Sequence, residues 1–263
     1  MIFRNCLFAF CITVGGVTPA FSIVVNVGGI DVSAPGTSIG GRSVGEYTAL
    51  WWKYVLEKPI AVNPLYDLAG ERFAAGPYVA DGVTFLYAYP PSNPAVPVTR
   101  EVAVSAGTNL LMPLLQWVNL KTDPAETAAD LLDQIAPVVA GTSGLFAEIN
   151  GTDFASQTGL DLLSYRETFG LPGDQTFGVN MPASDAPFGL DGFSTDILVS
   201  DGHWLLLKNI PAGQHTLHFG GTNDFGESHN VTYLLTAVPE PASFVLLGLG
   251  LVGLSFVRRK SNR

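Results

Sequence analysis

Both cysteines of this 263-residue chain, Cys6 and Cys11, fall in an apolar stretch that follows Arg4 and ends at Ala20-Phe21-Ser22. A basic residue, an apolar core and a small-x-small site make a secretory signal peptide over residues 1–22. Cleavage is expected after Ser22 or, as the alternative, after Ala20. Whatever folds beyond that point holds no thiol, so it has no disulfide and no cysteine metal or redox site. A domain without such staples is stabilised by its core alone and must be large enough to bury one.

The far end is bounded too. Ala242 to Val257 is an uncharged run of 16 residues, interrupted by Gly248, Gly250 and Gly253. Pro239-Glu240-Pro241 precedes it and Arg258-Arg259-Lys260 follows it. As a helix rising ~1.5 Å per residue it spans about 24 Å, a little less than the ~30 Å hydrocarbon core of a bilayer. The basic cluster stops transfer on the cytoplasmic side and places the residues before Pro239 outside. The two prolines disfavour helix ahead of them and leave Val238-Pro239-Glu240-Pro241 extended and accessible. Val238 to Ser243, the Leu/Gly-rich span and the Arg-Arg-Lys end resemble the PEP-CTERM sorting signal of Gram-negative bacteria. That resemblance implies cleavage near the Pro-Glu-Pro by exosortase, a membrane-embedded cysteine transpeptidase of exopolysaccharide-producing cells. It also implies a membrane-anchored precursor destined for the cell envelope or extracellular matrix.

Between the two ends lies a candidate domain of residues 23–237, with eight Lys and Arg against 22 Asp and Glu, a net charge of −14. Nucleic acid is excluded as a partner, because it requires a basic footprint. Two helices are expected. Ser43-Val44-Gly45-Glu46 is a capping box opening Tyr47 to Glu57, and Thr122 to Glu126 opens a second helix that stops before Pro137. Apolar runs at Val83–Tyr89, Val96–Val104, Leu110–Val118, His203–Lys208, Gln214–Phe219 and Asn230–Ala237 read as strands. Pro211-Ala212-Gly213 is expected to join two of them as a hairpin. Helices and strands do not alternate regularly, so the expectation is a mainly β domain, a β-sandwich or jelly roll with two short helices. The Gly-, Pro- and Asp-rich stretch Phe169–Gly192 reads as a long loop.

Several segments also resemble a family of exported bacterial and archaeal proteins with no assigned activity. They are Tyr47 to Tyr54, Asn63-Pro64-Leu65-Tyr66-Asp67, Ser200 to Leu207, Gly213 to Gly221 and Asn230-Val231-Thr232-Tyr233. Where that family has a lysine after the glycine and two phenylalanines before the proline, this chain has Gly107-Thr108-Asn109-Leu110-Leu111-Met112-Pro113. No site residue is carried over.

Candidate chemistry is sparse. Gly41-Arg42-Ser43-Val44-Gly45 matches the serine-hydrolase elbow, but a Pro/Gly/Ser loop stands where the buried strand should be, and Ser43 serves as a helix cap. The four histidines, His203, His215, His218 and His229, crowd the last strands. His215 and His218, three apart, point to opposite faces, and a third metal ligand is missing for His203 with His215. Asp185, Asp191, Asp196 and Asp201 are the candidates for structural calcium, with ordinary turns as the competing role. The candidate glycan contacts are Trp51 and Trp52, on a helix apolar enough to be mostly buried. No catalytic residue and no other cofactor is assigned. The expected function is a non-enzymatic surface or matrix protein, sorted by exosortase and associated with exopolysaccharide. The alternative is an extracellular hydrolase acting on glycan or ester.

Overall fold

The computed structural model describes residues 24–239, apart from 76, 89, 91, 93 and 171–176. The signal peptide expected at residues 1–22 and the membrane helix expected at residues 242–257 lie outside the described residues. Among the described residues no helix is long and apolar enough to cross a membrane.

Strands β1 (Val24–Val27) and β2 (Ile30–Ser33) form a hairpin, and β3 (Ser38–Ile39) pairs with β4 (Arg42–Ser43) just ahead of helix α1 (Val44–Leu56). Two 3-10 turns lead to α2 (Glu71–Ala75), β5 (Val79–Ala80), β6 (Val83–Phe85), β7 (Pro97–Ser105) and β8 (Asn109–Leu120). Helix α3 (Ala128–Ala140), β9 (Ser143–Ile149), β10 (Thr152–Asp153), α4 (Phe154–Thr158) and β11 (Arg166–Phe169) come next. The chain closes with β12 (Val179–Asn180), β13 (Ser194–Thr195), β14 (Leu198–Lys208), β15 (Gly213–Thr222) and β16 (Ser228–Val238).

Among the described residues these strands build a seven-stranded sheet, ordered β1-β2-β14-β8-β6-β5 with β11 also on β14, and a five-stranded sheet, β10-β9-β15-β16-β7. The fold is mainly β, as expected. Its sheets are mixed, however: β6 runs parallel to β8, and β7 parallel to β16. A jelly roll is antiparallel throughout, whereas parallel neighbours require the long crossovers seen between these strands. The expected hairpin at Pro211–Gly213 is instead a corner between sheets, since β14 pairs with β2, β8 and β11 while β15 pairs with β9 and β16.

Local chemistry accounts for the elements. The capping box of α1 is closed: Ser43 N donates to Glu46 Oε2 at 2.7 Å and Glu46 N to Ser43 Oγ at 3.2 Å. Gly45 lets α1 ride close on β11, since a Cβ there would sit 2.3 Å from the Thr168 carbonyl oxygen. Helix α3 departs from expectation at both ends. Thr122 and Asp123 form a separate turn on Glu126, Thr127 with Asp130 makes the actual capping box, and Pro137 sits inside the helix. An interior proline removes one backbone bond, which the flanking turns here tolerate. Helices α2 and α4, five residues each, were too short to read from periodicity.

Strand β14 is buried almost throughout because it is covered on both faces. Thr48 of α1 and Ser200 share a hydroxyl bond of 2.5 Å, while the adjacent Val199 packs into the α3 cluster with Leu131 and Ile135. Neighbours on a strand point to opposite faces, so α1 and α3 flank it. Gly202 is required there, because a Cβ would lie 2.6 Å from the Leu115 carbonyl oxygen. Strand β7 alternates, with Val98, Arg100 and Val102 inward; β16 likewise turns His229, Val231, Tyr233, Leu235 and Ala237 inward.

Candidate functional site

Strand β8 pairs with β14 along its length but with β6 only over Asn109–Leu111. Beyond that point its second edge has no strand partner among the described residues, and a cleft of about 600 Å3 runs along it. Leu115 to Leu120 form one wall. Trp52 and Leu56 of α1, Leu65, the loop residues Phe188, Leu190 and Phe193, and Glu227 with His229 at the start of β16 form the rest.

The aromatic side chains are held firmly. Trp51 is fully buried, its indole N–H donates to the Leu86 carbonyl at 2.7 Å, and its ring meets Trp52 edge-on at 4.9 Å. Trp51 therefore offers no face to a ligand, which removes it as a glycan contact. Trp52, largely buried, reaches the cleft wall. Phe188 lies 6.5 Å from Trp52 and is half exposed, at φ 58° and ψ 17°. A bulky residue in the left-handed region is strained and persists only where its surroundings enforce it. The enforcement comes from two of the candidate calcium ligands. Asp185 accepts Ala61 N at 2.9 Å and Asp191 accepts Ala186 N at 2.7 Å, which pins the loop on both sides of Phe188. Trp117, a residue of the β8 wall, meets Phe225 edge-on at 5.9 Å. Phe225 is 67% exposed, on a turn whose Asn223 side chain accepts Phe225 N and Glu227 N.

Three polar atoms of these wall residues lie beneath the surface of the cleft. The indole nitrogens of Trp52 and Trp117 and the amide oxygen of Gln116 are buried with no hydrogen-bond partner among the described residues. Each such orphan costs about 1–3 kcal/mol, and in a native fold each calls for an explanation. Beside the cleft, sharing Thr122 with it, lies a polar hollow of about 390 Å3 formed by Lys121, Asp123, Ser194, Thr195 and Asp196.

The remaining candidates scatter. Asp196 pairs with Lys121 at 3.5 Å, and Asp201 forms a two-pronged pair with Arg166. The four aspartates thus serve separate local roles, and among the described residues no group of three or more acids and histidines is placed to hold a metal. His215 contacts Asn150 and the Pro211 carbonyl, and His218 lies between Glu148 and Asn230. His203 is buried, and burial together with Arg166 holds its imidazole below the ordinary value, against the opposing pull of Asp201. His229 alone of the four lines the cleft. The motif segments Asn63–Asp67 and Ser200–Leu207 are structural knots. Asn63 donates to the Val55 carbonyl and accepts Leu65 N, and Asp67 accepts Gly70 N, Arg72 N and Phe73 N. Sequence reasoning missed Gln116, Trp117, Phe188 and Phe225. The available signals were a glutamine breaking an apolar strand and aromatics set in glycine-flanked turns.

Near the end of the described residues β16 continues to Val238, which pairs with Ser105, and its carbonyl accepts Ala106 N at 2.7 Å. Pro239 follows at once. Residues 237–260 match the PEP-CTERM protein-sorting motif. The PEP-CTERM motif includes Glu240, Pro241, Arg258, Arg259 and Lys260, which lie outside the described residues, and it supports an exported protein that is an exosortase substrate. No curated protein and no solved structure matches the chain.

Proposed function

We propose that this is a surface or matrix protein, anchored by its tail helix until exosortase cleaves it, whose β-rich domain holds extracellular polysaccharide without cutting it. The observation that carries the reading is the aromatic cleft lined by Trp52, Trp117 and Phe188, with exposed Phe225 packed on Trp117. Its volume falls within the ~300–1,000 Å3 of small-ligand sites, which are mainly apolar with a few placed polar groups. Sugar rings present C–H faces that pack on aromatic rings, and the polar hollow beyond Thr122 gives the rest of a glycan chain a hydrated exit. Glu227 is the only acid lining the cleft among the described residues, and its carboxylate is engaged by Asn223 Nδ2 at 3.0 Å. Glycosidic hydrolysis ordinarily uses two facing carboxylates, which favours retention over cleavage. With about 1 kcal/mol per aromatic contact beyond area burial, dissociation constants fall between micromolar and millimolar.

The test incubates processed protein, purified from the producing cells, with their own exopolysaccharide, and measures co-sedimentation and released reducing ends together. Retention that weakens in Phe225→Ala, with no release, is the expected result. Steady release of reducing ends replaces this reading with the glycan hydrolase.

A further inference from the structure

The sorting motif and the folded sheet overlap. Residues 237–260 match the motif, yet Ala237 and Val238 are still rungs of β16. Ala237 is 2% exposed and pairs on both sides, with Gly213 of β15 and with Val104 of β7. Val238 pairs with Ser105, and its carbonyl accepts Ala106 N at 2.7 Å. That donor is itself fixed. Thr108 N donates to the Ser105 carbonyl at 3.3 Å across a turn with Gly107 at φ 80°, the type II pattern. Gly107 N in turn donates to the Ile210 carbonyl at 2.8 Å. The last rungs of β16 are therefore clasped from β7, from β15 and from the corner at Ile210.

Acyl transfer needs a carbonyl that can be approached, and the residue ahead of it must lie in the enzyme's groove. Backbone groups spent in a ladder are closed to such a groove. The bond between Val238 and Pro239 fails because Ala106 N holds the Val238 carbonyl. The next bond, Pro239 to Glu240, fails because Val238 stands ahead of it in the ladder. In the bond from Glu240 to Pro241 the leaving nitrogen belongs to proline and has no N–H for an enzyme to hold. We infer that the folded sheet sets the position of exosortase cleavage, at the bond between Pro241 and Ala242, so that the mature chain keeps the whole Pro-Glu-Pro. The enzyme's cysteine thiol adds to the Pro241 carbonyl carbon, the bond to Ala242 N breaks, and that nitrogen takes the thiol proton. The thioester then passes to an acceptor amine, hydroxyl or water. The inference rests on exosortase processing and is independent of what the cleft holds.

The full chain is expressed in the producing cells with and without a Gly-Ser-Gly insert between Val238 and Pro239, which leaves the ladder and the Pro-Glu-Pro intact. No lysine or arginine lies between Lys208 and Arg258, so one tryptic peptide beginning at Asn209 carries the new C-terminus. Mass spectrometry of that peptide, with or without a bound acceptor, reads the cleavage position. The parent is expected to end at Pro241 alone. The insert places a residue outside the ladder ahead of Pro239, so a second terminus at Pro239 is expected beside the one at Pro241. A parent terminus at any other residue, or an insert variant that ends only at Pro241, overturns the inference and leaves exosortase processing standing. An uncut tail in the parent overturns both.

Discussion

Replacing Arg100 by methionine tests how the two sheets are held together. Arg100 occupies an inward position of an alternating strand and is 1% exposed. Its Nε donates to the Asp67 carbonyl at 2.6 Å, its Nη1 to the Tyr87 carbonyl and to Tyr233 Oη, and its Nη2 to the Pro64 carbonyl at 3.3 Å. The guanidinium also lies 5.5 Å from the Tyr233 ring. Tyr233 Oη in turn accepts Tyr87 N at 2.8 Å and donates to the Tyr87 carbonyl at 3.0 Å. A cation buried among carbonyls, with no ion pair among the described residues, gains roughly 1.5–3 kcal/mol per bond, and much of that offsets its own desolvation. The larger effect of the substitution is on the oxygens left behind. The buried Asp67 and Leu65 carbonyls lose their Arg100 donor at about 1–3 kcal/mol each, roughly 3–5 kcal/mol together. In a domain of this size each kcal/mol moves Tm by about 2–4 °C, so Arg100→Met should lower it by roughly 6–20 °C. Thermal unfolding followed by circular dichroism, with Tyr233→Phe and the double variant, measures the loss. The two changes should be less than additive, since both act on Tyr87. A Tm within 2 °C of the parent would show that desolvation cancels the bonds, and the account of Arg100 as a tie would be wrong.

Glu167 is buried, and burial raises its carboxyl above the ordinary value, against the lowering bond from Gly36 N at 2.7 Å. Its favourable contribution is therefore present in acid and lost as pH rises through the folded value. Glu167→Gln should raise Tm at pH 7, with the gain vanishing below about pH 4; a gain independent of pH would refute the burial argument. Ser43→Ala should cost about 1 kcal/mol, or 2–4 °C, through loss of the α1 cap. Thermal unfolding by circular dichroism measures that loss. Glu240→Ala, or Pro239 and Pro241 both to Ala, should leave an unprocessed membrane species in the native host, visible by blotting; processing at the normal rate would refute the motif's role.

Where local chemistry decides the outcome, the sequence was readable. The Ser43–Glu46 box needs four residues and no tertiary information, and the alternation of β7 and β16 follows from one buried face. The partnership of β14 was not readable, because Pro211-Ala212-Gly213 permits either a hairpin or a corner and tertiary packing decides. The site was half visible. Trp52 was a candidate on aromatic grounds, yet only the fold separates it from Trp51, one residue and about 100° of helix away. Trp117 and Gln116 acquire meaning from the unpaired edge of β8, which depends on how far β6 reaches. Asp185 and Asp191 have the composition of a cation site, and their use as loop struts appears only once Ala61 and Ala186 are placed beside them.

Strand β16 carries His229 near its first residue and Val238 at its last, and the sorting motif, residues 237–260, begins within the last two residues of the strand. At ~3.3 Å per residue, nine residues separate the two by about 30 Å. A tether leaving through Pro239 thus pulls on one end of a rigid rod whose other end borders the cleft. The ladder with β7 keeps that rod from swivelling, so the β16 border of the cleft is held about 30 Å from Val238. The attachment end is formed by Ala106 and the corner at Asn209 to Ala212. For an enzyme that engages the motif from its first residues, drawing out residues 237 and 238 would mean unzipping the end of β16 from β7.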